Sequence, residues 1–255
     1  MPPEAMSPTV DHRGEPPFIE RNGVASAWSD FAVRQATVSS ALACVFRGKF
    51  CDAILPNRKT ATFEKGAVIY EMGERDRTFF FLRSGFVKLG VITPDGHELI
   101  YDVRKGGDVV GELCAAQSER PDRAVALEET QAIPVPYEEV LEVLRKRPDL
   151  FDRLVEVLCQ SLAEAYDQVT TLAVDDTPHR LVKALLRLAA KLGHPSGQVV
   201  DIPTYLTQEE ISQMVAARRE RVSTALNFLR RRGMVRYSSH GHLTLDIKAL
   251  ESYDG

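Results

Sequence analysis

Glycine and Pro-Asp-Gly turns cut residues 59–135 into short β-rich runs, and nothing else in the chain limits its fold so strongly. Residues 60–63 are followed by Lys65-Gly66, 67–70 by Met72-Gly73, and 79–82 by Ser84-Gly85. Residues 86–92 lead into Pro94-Asp95-Gly96, and 98–103 into Lys105-Gly106-Gly107. Turns of this composition at this spacing make hairpins. Several short strands in series bury their apolar faces and protect their edges by curling into a small barrel or jelly roll. A plain β-sandwich without a ligand satisfies the same pattern.

The period then changes from two to that of a helix. Pro148 opens a run extending to about residue 176, with Asp149 and Asp152 in its favourable first turn. Its apolar positions Val155, Leu158, Leu162, Ala165, Val169 and Leu172 advance by alternating steps of three and four, the a and d sites of a heptad. Such a stripe is more often core packing. Its strict alternation, with Gln160, Glu164 and Gln168 elsewhere on the helix, favours a two-stranded seam and therefore a homodimer. Asp175, Asp176 and Pro178 break the run and form a hinge, and a second helix over 180–192 stops at Gly193.

Net charge, −4 over 255 residues, gives no hint of a polyanionic partner, but its distribution does. From Ala216 to Arg236 there are seven arginines against Glu220 alone, a local balance of 7 − 1 = +6. A solvated helix face is the ordinary explanation for such a run. The surroundings point instead to DNA. Thr207-Gln208-Glu209-Glu210 is a capping box that starts a helix burying Ile211 and Val215. Ala216-Ala217 makes a turn, and a second helix buries Val222, Ala225, Leu226 and Leu229 before Gly233. Strands over 235–237 and 243–245 flank Ser239-His240-Gly241, a hairpin of wing type. A recognition helix needs one apolar face for docking and long polar side chains near its N-terminus for base edges. The DNA-facing candidates are Thr207, Gln208, Arg218, Arg219, Glu220, Ser223, Thr224 and Asn227. An arginine fork suits guanine, and a glutamate accepts from the cytosine amine.

No apolar run reaches the roughly 18 residues that span a bilayer, and no basic-then-apolar leader opens the chain, so a cytoplasmic location without membrane contact is expected. Residues 1–36, rich in proline, read as a flexible tail with a short helix near 28–33. Residues 38–55 read as a helix carrying Leu42, Val45, Phe46, Phe50 and Ile54, ended by Pro56. Cys44 and Cys51 fall on one face of it. With Cys114 they are candidate thiolate ligands, although buried inert cysteine is the commoner fate, and no metal is assigned.

Three stretches carry a resemblance: Gly85-Phe86-Val87-Lys88-Leu89, Gly107-Asp108-Val109-Val110-Gly111-Glu112-Leu113, and Thr207-Gln208-Glu209-Glu210-Ile211 with Arg219-Glu220. With these the chain resembles the CRP/FNR superfamily, named for the cyclic-AMP receptor protein and the fumarate-nitrate regulator, from about Val38 to its end. The resemblance implies an α+β chain with an N-terminal β-roll (jelly-roll) sensor over 37–147, a long dimerisation helix over 148–176 and a C-terminal winged helix-turn-helix over 177–255. It implies a transcription regulator whose DNA affinity is gated at the β-roll, an inverted-repeat operator, and RNA polymerase as a partner. The effector region it marks holds Glu112, Leu113, Cys114, Arg120 and Arg123. Glu112 matches the residue that meets the ribose hydroxyl in cyclic-AMP binders. The arginine-serine pair that holds the phosphate has only Arg120-Pro121 to match it, and Ala165-Tyr166 stands where a polar pair would read adenine, which weighs against cyclic AMP. The cysteine spacing differs from the tight cluster of iron–sulfur members, so an iron–sulfur cluster is less favoured than none, and the effector stays unassigned. Thr224 replaces an arginine frequent in the family, which implies a different operator.

Two other functions compete. An enzyme would need a recognisable constellation, and no paired carboxylates, nucleophile elbow, H-E-x-x-H or phosphate loop is present. A nucleotide-binding module of some other protein, such as a kinase subunit, would not carry the winged C-terminal part.

Overall fold

The structure, a computed structural model, describes residues 51, 54–115, 119–204, 206–237 and 242–254. The expected tail, the helix near 28–33, Cys44, most of the 38–55 helix and the wing tip Ser239-His240-Gly241 lie outside the described residues. Cys51 and Ile54 are helical, and the Leu55 amide donates to the Cys51 carbonyl at 2.9 Å.

Eight strands build the N-terminal part: β1 (Ala61–Phe63), β2 (Val68–Tyr70), β3 (Thr78–Ser84), β4 (Phe86–Ile92), β5 (Glu98–Lys105), β6 (Val109–Val110), β7 (Arg123–Ala126) and β8 (Thr130–Pro136). They form two four-stranded sheets with orders β1-β8-β3-β6 and β2-β7-β4-β5, whose pairings are all antiparallel. The crossed order is that of a jelly roll, as expected. The last three strands were not separately legible, because β6 is two residues long and β7 and β8 carry no glycine turn between them.

Strand β3 shows how the layers stack. Alternate side chains of a strand face opposite ways. Phe80 and Leu82 point into the roll with Tyr70, Val87, Leu89 and Val110. Phe79 and Phe81 point outward onto a second cluster with Ile54, Cys114, Val140, Leu144 and Val157. Burial on both faces explains the unbroken Phe-Phe-Phe-Leu run. Between β3 and β4, Gly85 has φ 86°, and a Cβ there would run into the Thr130 hydroxyl and lie 2.7 Å from the Glu129 carbonyl oxygen.

The outer cover comes from α1 (Tyr137–Arg145), which the sequence reading missed, and from α2 (Pro148–Val174). Helix α2 begins on Pro148 and stops at Asp175. Asp176 then caps α3 (Thr177–Leu192), accepting from the His179 amide at 3.0 Å with Pro178 in the first turn. Arg180 donates back to the Leu172 and Asp175 carbonyls at 2.7 and 2.9 Å, which satisfies the free end of α2 across the two-residue break.

The C-terminal part contains α3, β9 (His194–Ser196), β10 (Val199–Asp201), α4 (Gln208–Met214), α5 (Arg219–Arg231), β11 (Val235–Tyr237), β12 (Leu243–Asp246) and α6 (Ile247–Glu251). Its sheet runs β11-β12-β10-β9, so the wing is extended by a second hairpin. Its core joins Leu181, Leu185, Leu188, Ile211, Val222, Leu226, Leu229 and Leu245, and continues without a break onto Ile100, Val103 and Leu127 of the β-roll.

Candidate nucleic-acid interface and sensor pocket

The helix-turn-helix follows from its local chemistry. The Glu210 amide donates to the Thr207 hydroxyl at 3.1 Å, and the Thr207 amide donates to the Glu210 carboxylate at 2.9 Å, which is a closed capping box. Helix α4 ends at Met214, and the turn passes through Ala216 at φ 49°, the left-handed region that alanine rarely enters. Helix α5 buries Val222, Ala225, Leu226 and Leu229, the four positions expected. Arg218, Arg219, Glu220, Thr224 and Asn227 are all exposed. Thr207, Gln208 and Ser223 are half-buried, and the Thr224 hydroxyl donates to the Glu220 carbonyl at 2.9 Å. Thr207 is engaged in its cap.

Beyond Asn227 the exposed face runs into a groove of about 470 Å³ lined by Asn227, Arg230, Arg231, Val235, Arg236 and Tyr237. Arg230 donates to the Asn227 side-chain oxygen at 3.4 Å and lies 5.3 Å from the Tyr237 ring centre. Arg236 and Tyr237 were missing from the expected DNA-facing set. The signal was their alternation in β11, which turns Arg236 to solvent while Val235 is buried.

The effector candidates of the β-roll occupy different settings. Glu112 opens a 3-10 turn, Glu112–Ala115, directly after Gly111, whose φ is 89° and whose Cβ, if present, would lie 2.7 Å from the Thr78 carbonyl oxygen. Arg120, expected to face a ligand, instead braces the roll. Its guanidinium donates to the Thr78 and Gly111 carbonyls at 2.9 and 3.4 Å, pairs with Asp76 at 3.0 Å and stacks 4.0 Å over the Tyr70 ring. Arg123 is held by Glu71 at 3.2 Å and Glu98 at 3.8 Å. Leu113 is exposed.

Enclosed carboxylates sit beside these arginines. Asp122, missed from sequence, accepts from the Tyr70 hydroxyl at 3.0 Å and the Tyr101 hydroxyl at 2.5 Å, while its Oδ1 has no hydrogen-bond partner among the described residues. Burial and the neighbouring Asp122 charge push both phenols well above the usual tyrosine range. Burial also raises the Glu112 carboxyl, and Arg104, 3.6 Å away, offsets this only in part. Asp102 lies the other way. Burial would raise it, but Arg104 at 2.7 Å and Lys191 at 2.8 Å outweigh that and hold it below the ordinary value.

Cys114 is buried beside Ile54 and Phe79, and burial pushes its thiol up, the reverse of what a thiolate ligand needs. Cys51 is half-buried. No group of three or more metal-binding side chains occurs among the described residues.

The expected seam lies on the open side of α2. Leu158 and Leu162 are about half exposed and Val169 is 64% exposed, with Val155 and Leu172 exposed beside them. Ala165 is exposed too, and Phe151 and Tyr166 extend the same face. The opposite side meets the body of the protein through Val157 and Thr171.

Comparison with known proteins agrees with both halves. The cyclic nucleotide-binding domain family matches residues 60–147, and the Crp-like helix-turn-helix domain family matches residues 179–253. A CRP-like cAMP-activated global transcriptional regulator of Mycobacterium tuberculosis is 30% identical over 199 residues, covering 78% of this chain and 89% of its own. A global nitrogen regulator of Nostoc is 29% identical over 202 residues, covering 78% and 90%. Among solved structures, a CRP/FNR-family transcriptional regulator of Thermus thermophilus has a TM-score of 0.59 at 30% identity, covering 76% of this chain and 96% of that one. No described helix is long and apolar enough to cross a membrane.

Proposed function

We propose, from the premise that the chain belongs to the CRP/FNR superfamily of DNA-binding transcription regulators, that it works as a homodimer on an inverted-repeat operator in the cytoplasm, with RNA polymerase as its eventual partner. The proposed organisation is a sensor over 37–147, a dimerisation helix over 148–176 and a winged helix-turn-helix over 177–255. The observation that carries the reading is the arrangement of two open faces. One is the apolar stripe of α2, which needs a second copy to cover it, and the other is the polar face of α5 with Arg219 and Glu220 at its start. A two-fold axis along α2 would present two such helices to successive major grooves of one DNA face.

Gating belongs to the β-roll, and its chemistry favours an effector other than cyclic AMP. The Mycobacterium tuberculosis relative is described as cAMP-activated. Here Arg120 and Arg123, the cations available for a cyclic phosphate, are already committed to partners, and Asp122 adds an enclosed carboxylate. The residues present do not fit that group. An effector that donates hydrogen bonds to buried carboxylates fits better.

Selection of operators from random DNA by the full-length protein, with sedimentation of the selected complex, tests this function. Recovery of an inverted repeat bound by two copies is expected. A monomer bound to an asymmetric site would exclude it.

A further inference from the structure

We propose that five alternating charges, Glu112–Arg104–Asp102–Lys191–Glu164, form the route by which the sensor pocket sets the hold on the DNA-binding half. The proposal rests on the reading that the effector engages Glu112. The successive spans are 3.6, 2.7, 2.8 and 3.5 Å. They cross four elements: Glu112 in the turn after β6, Arg104 and Asp102 on β5, Lys191 on α3, and Glu164 on the dimerisation helix. Arg104 is 13% and Asp102 9% exposed, so solvent screens the central pair poorly.

Each inner member is shared between two opposite charges, and that sharing makes the chain a coupling device. An effector that hydrogen-bonds Glu112 draws it away from Arg104. Arg104 then commits to Asp102, and the better-neutralised Asp102 loosens its grip on Lys191. Lys191 passes to Glu164, and α3 exchanges an anchor on the sensor sheet for one on the dimerisation helix. Among the ties that remain between the halves are the apolar contact of Ile100 and Val103 with the core of the DNA-binding half and the Lys88–Glu210 pair at 3.6 Å. A ligand moves such an equilibrium only through its differential contact with the two states, and Glu112 supplies that contact.

The test is a double-mutant cycle on the full-length protein without any effector, reading operator affinity by fluorescence anisotropy. Glu112→Gln mimics withdrawal of the first charge and Lys191→Met removes the last link. Each single change is expected to shift the dissociation constant by about fivefold or more, a typical size for coupling between sites. The double variant is expected to match the larger single effect, and Lys191→Arg is expected to retain the Glu112→Gln effect. Effects that multiply to within about twofold would overturn the proposal. Amide hydrogen exchange of β5 and the end of α3 in the DNA-free protein gives a second reading. Glu112→Gln should speed it with Lys191 present and not in the Lys191→Met background, and equal acceleration in both would also overturn the route. Because no effector is added, the cycle tests the charge route itself, and its outcome does not depend on which ligand engages Glu112.

Discussion

The guanidinium of Arg120 lies 4.0 Å over the ring of Tyr70 and is wholly buried, with two backbone carbonyls and Asp76 as its other partners. Arg120 is thus a brace between β3 and the turn that carries Glu112. Arg120→Ala should lower unfolding stability, with about 1–3 kcal/mol for each buried carbonyl left without a donor. Calorimetric titration of the wild type with cyclic AMP should show no binding in the micromolar range. Micromolar binding that disappears in Arg120→Ala while the melting temperature holds would return this arginine to the ligand.

The proposed dimer would be closed by the outward stripe of α2. Burying one leucine fully contributes about 1.5–3 kcal/mol, and Leu158, Leu162 and Leu172 from two copies would all be covered. Leu162→Lys with Val169→Lys should give a folded monomer by sedimentation equilibrium, with unchanged circular dichroism and operator binding lost. A wild type that sediments as a monomer at micromolar concentration would rule out the seam.

The two carboxylates at the ends of Arg104 should respond to pH in opposite senses. Asp102 is held below its ordinary value, so its stabilisation is complete above the unfolded value, about 3.9, and is lost as pH falls through the lower folded value. The stability difference between wild type and Asp102→Asn should therefore be flat near neutrality and shrink below about pH 4. Glu112 is raised by burial, so the folded protein binds the extra proton and stability falls as pH rises through that interval. Glu112→Gln should flatten this slope in urea melts collected across pH, and a slope that survives the substitution would assign it to another group.

Much of this was legible in the sequence because it depends on short-range chemistry. The capping box at Thr207 and Glu210 and the buried set of α5 need only spacing and side-chain type, and both reappear in the geometry, as does the apolar stripe of α2 as an exposed face. The pocket was not legible in this way. Whether Arg120 turns toward a ligand or toward the Thr78 carbonyl depends on β3, more than forty residues earlier in the chain. Asp122 acquires its meaning only when Tyr70 and Tyr101, from two other strands, converge on it. Helix α1 was missed because its nine residues follow Pro136 with no side-chain cap to mark their start.

DNA readout is expected to divide the arginines of α5 into two classes. Arg219 stands in the first turn, exposed beside Glu220, where a fork can reach a guanine edge. Arg230 and Arg231 stand in the last turn and share a groove with Arg236 of the wing. That groove suits a phosphate backbone, which carries charge but no sequence information. Arg219→Ala should cost about 1–3 kcal/mol per half-site and relax the preference at one base pair. Arg231→Ala and Arg236→Ala should weaken all sequences alike, each lowering the slope of log affinity against log salt by about one. Selection from random DNA, followed by salt titration of the winning operator, separates the classes. Recovery of an unchanged operator by Arg219→Ala would mean that another face of α5 reads the bases.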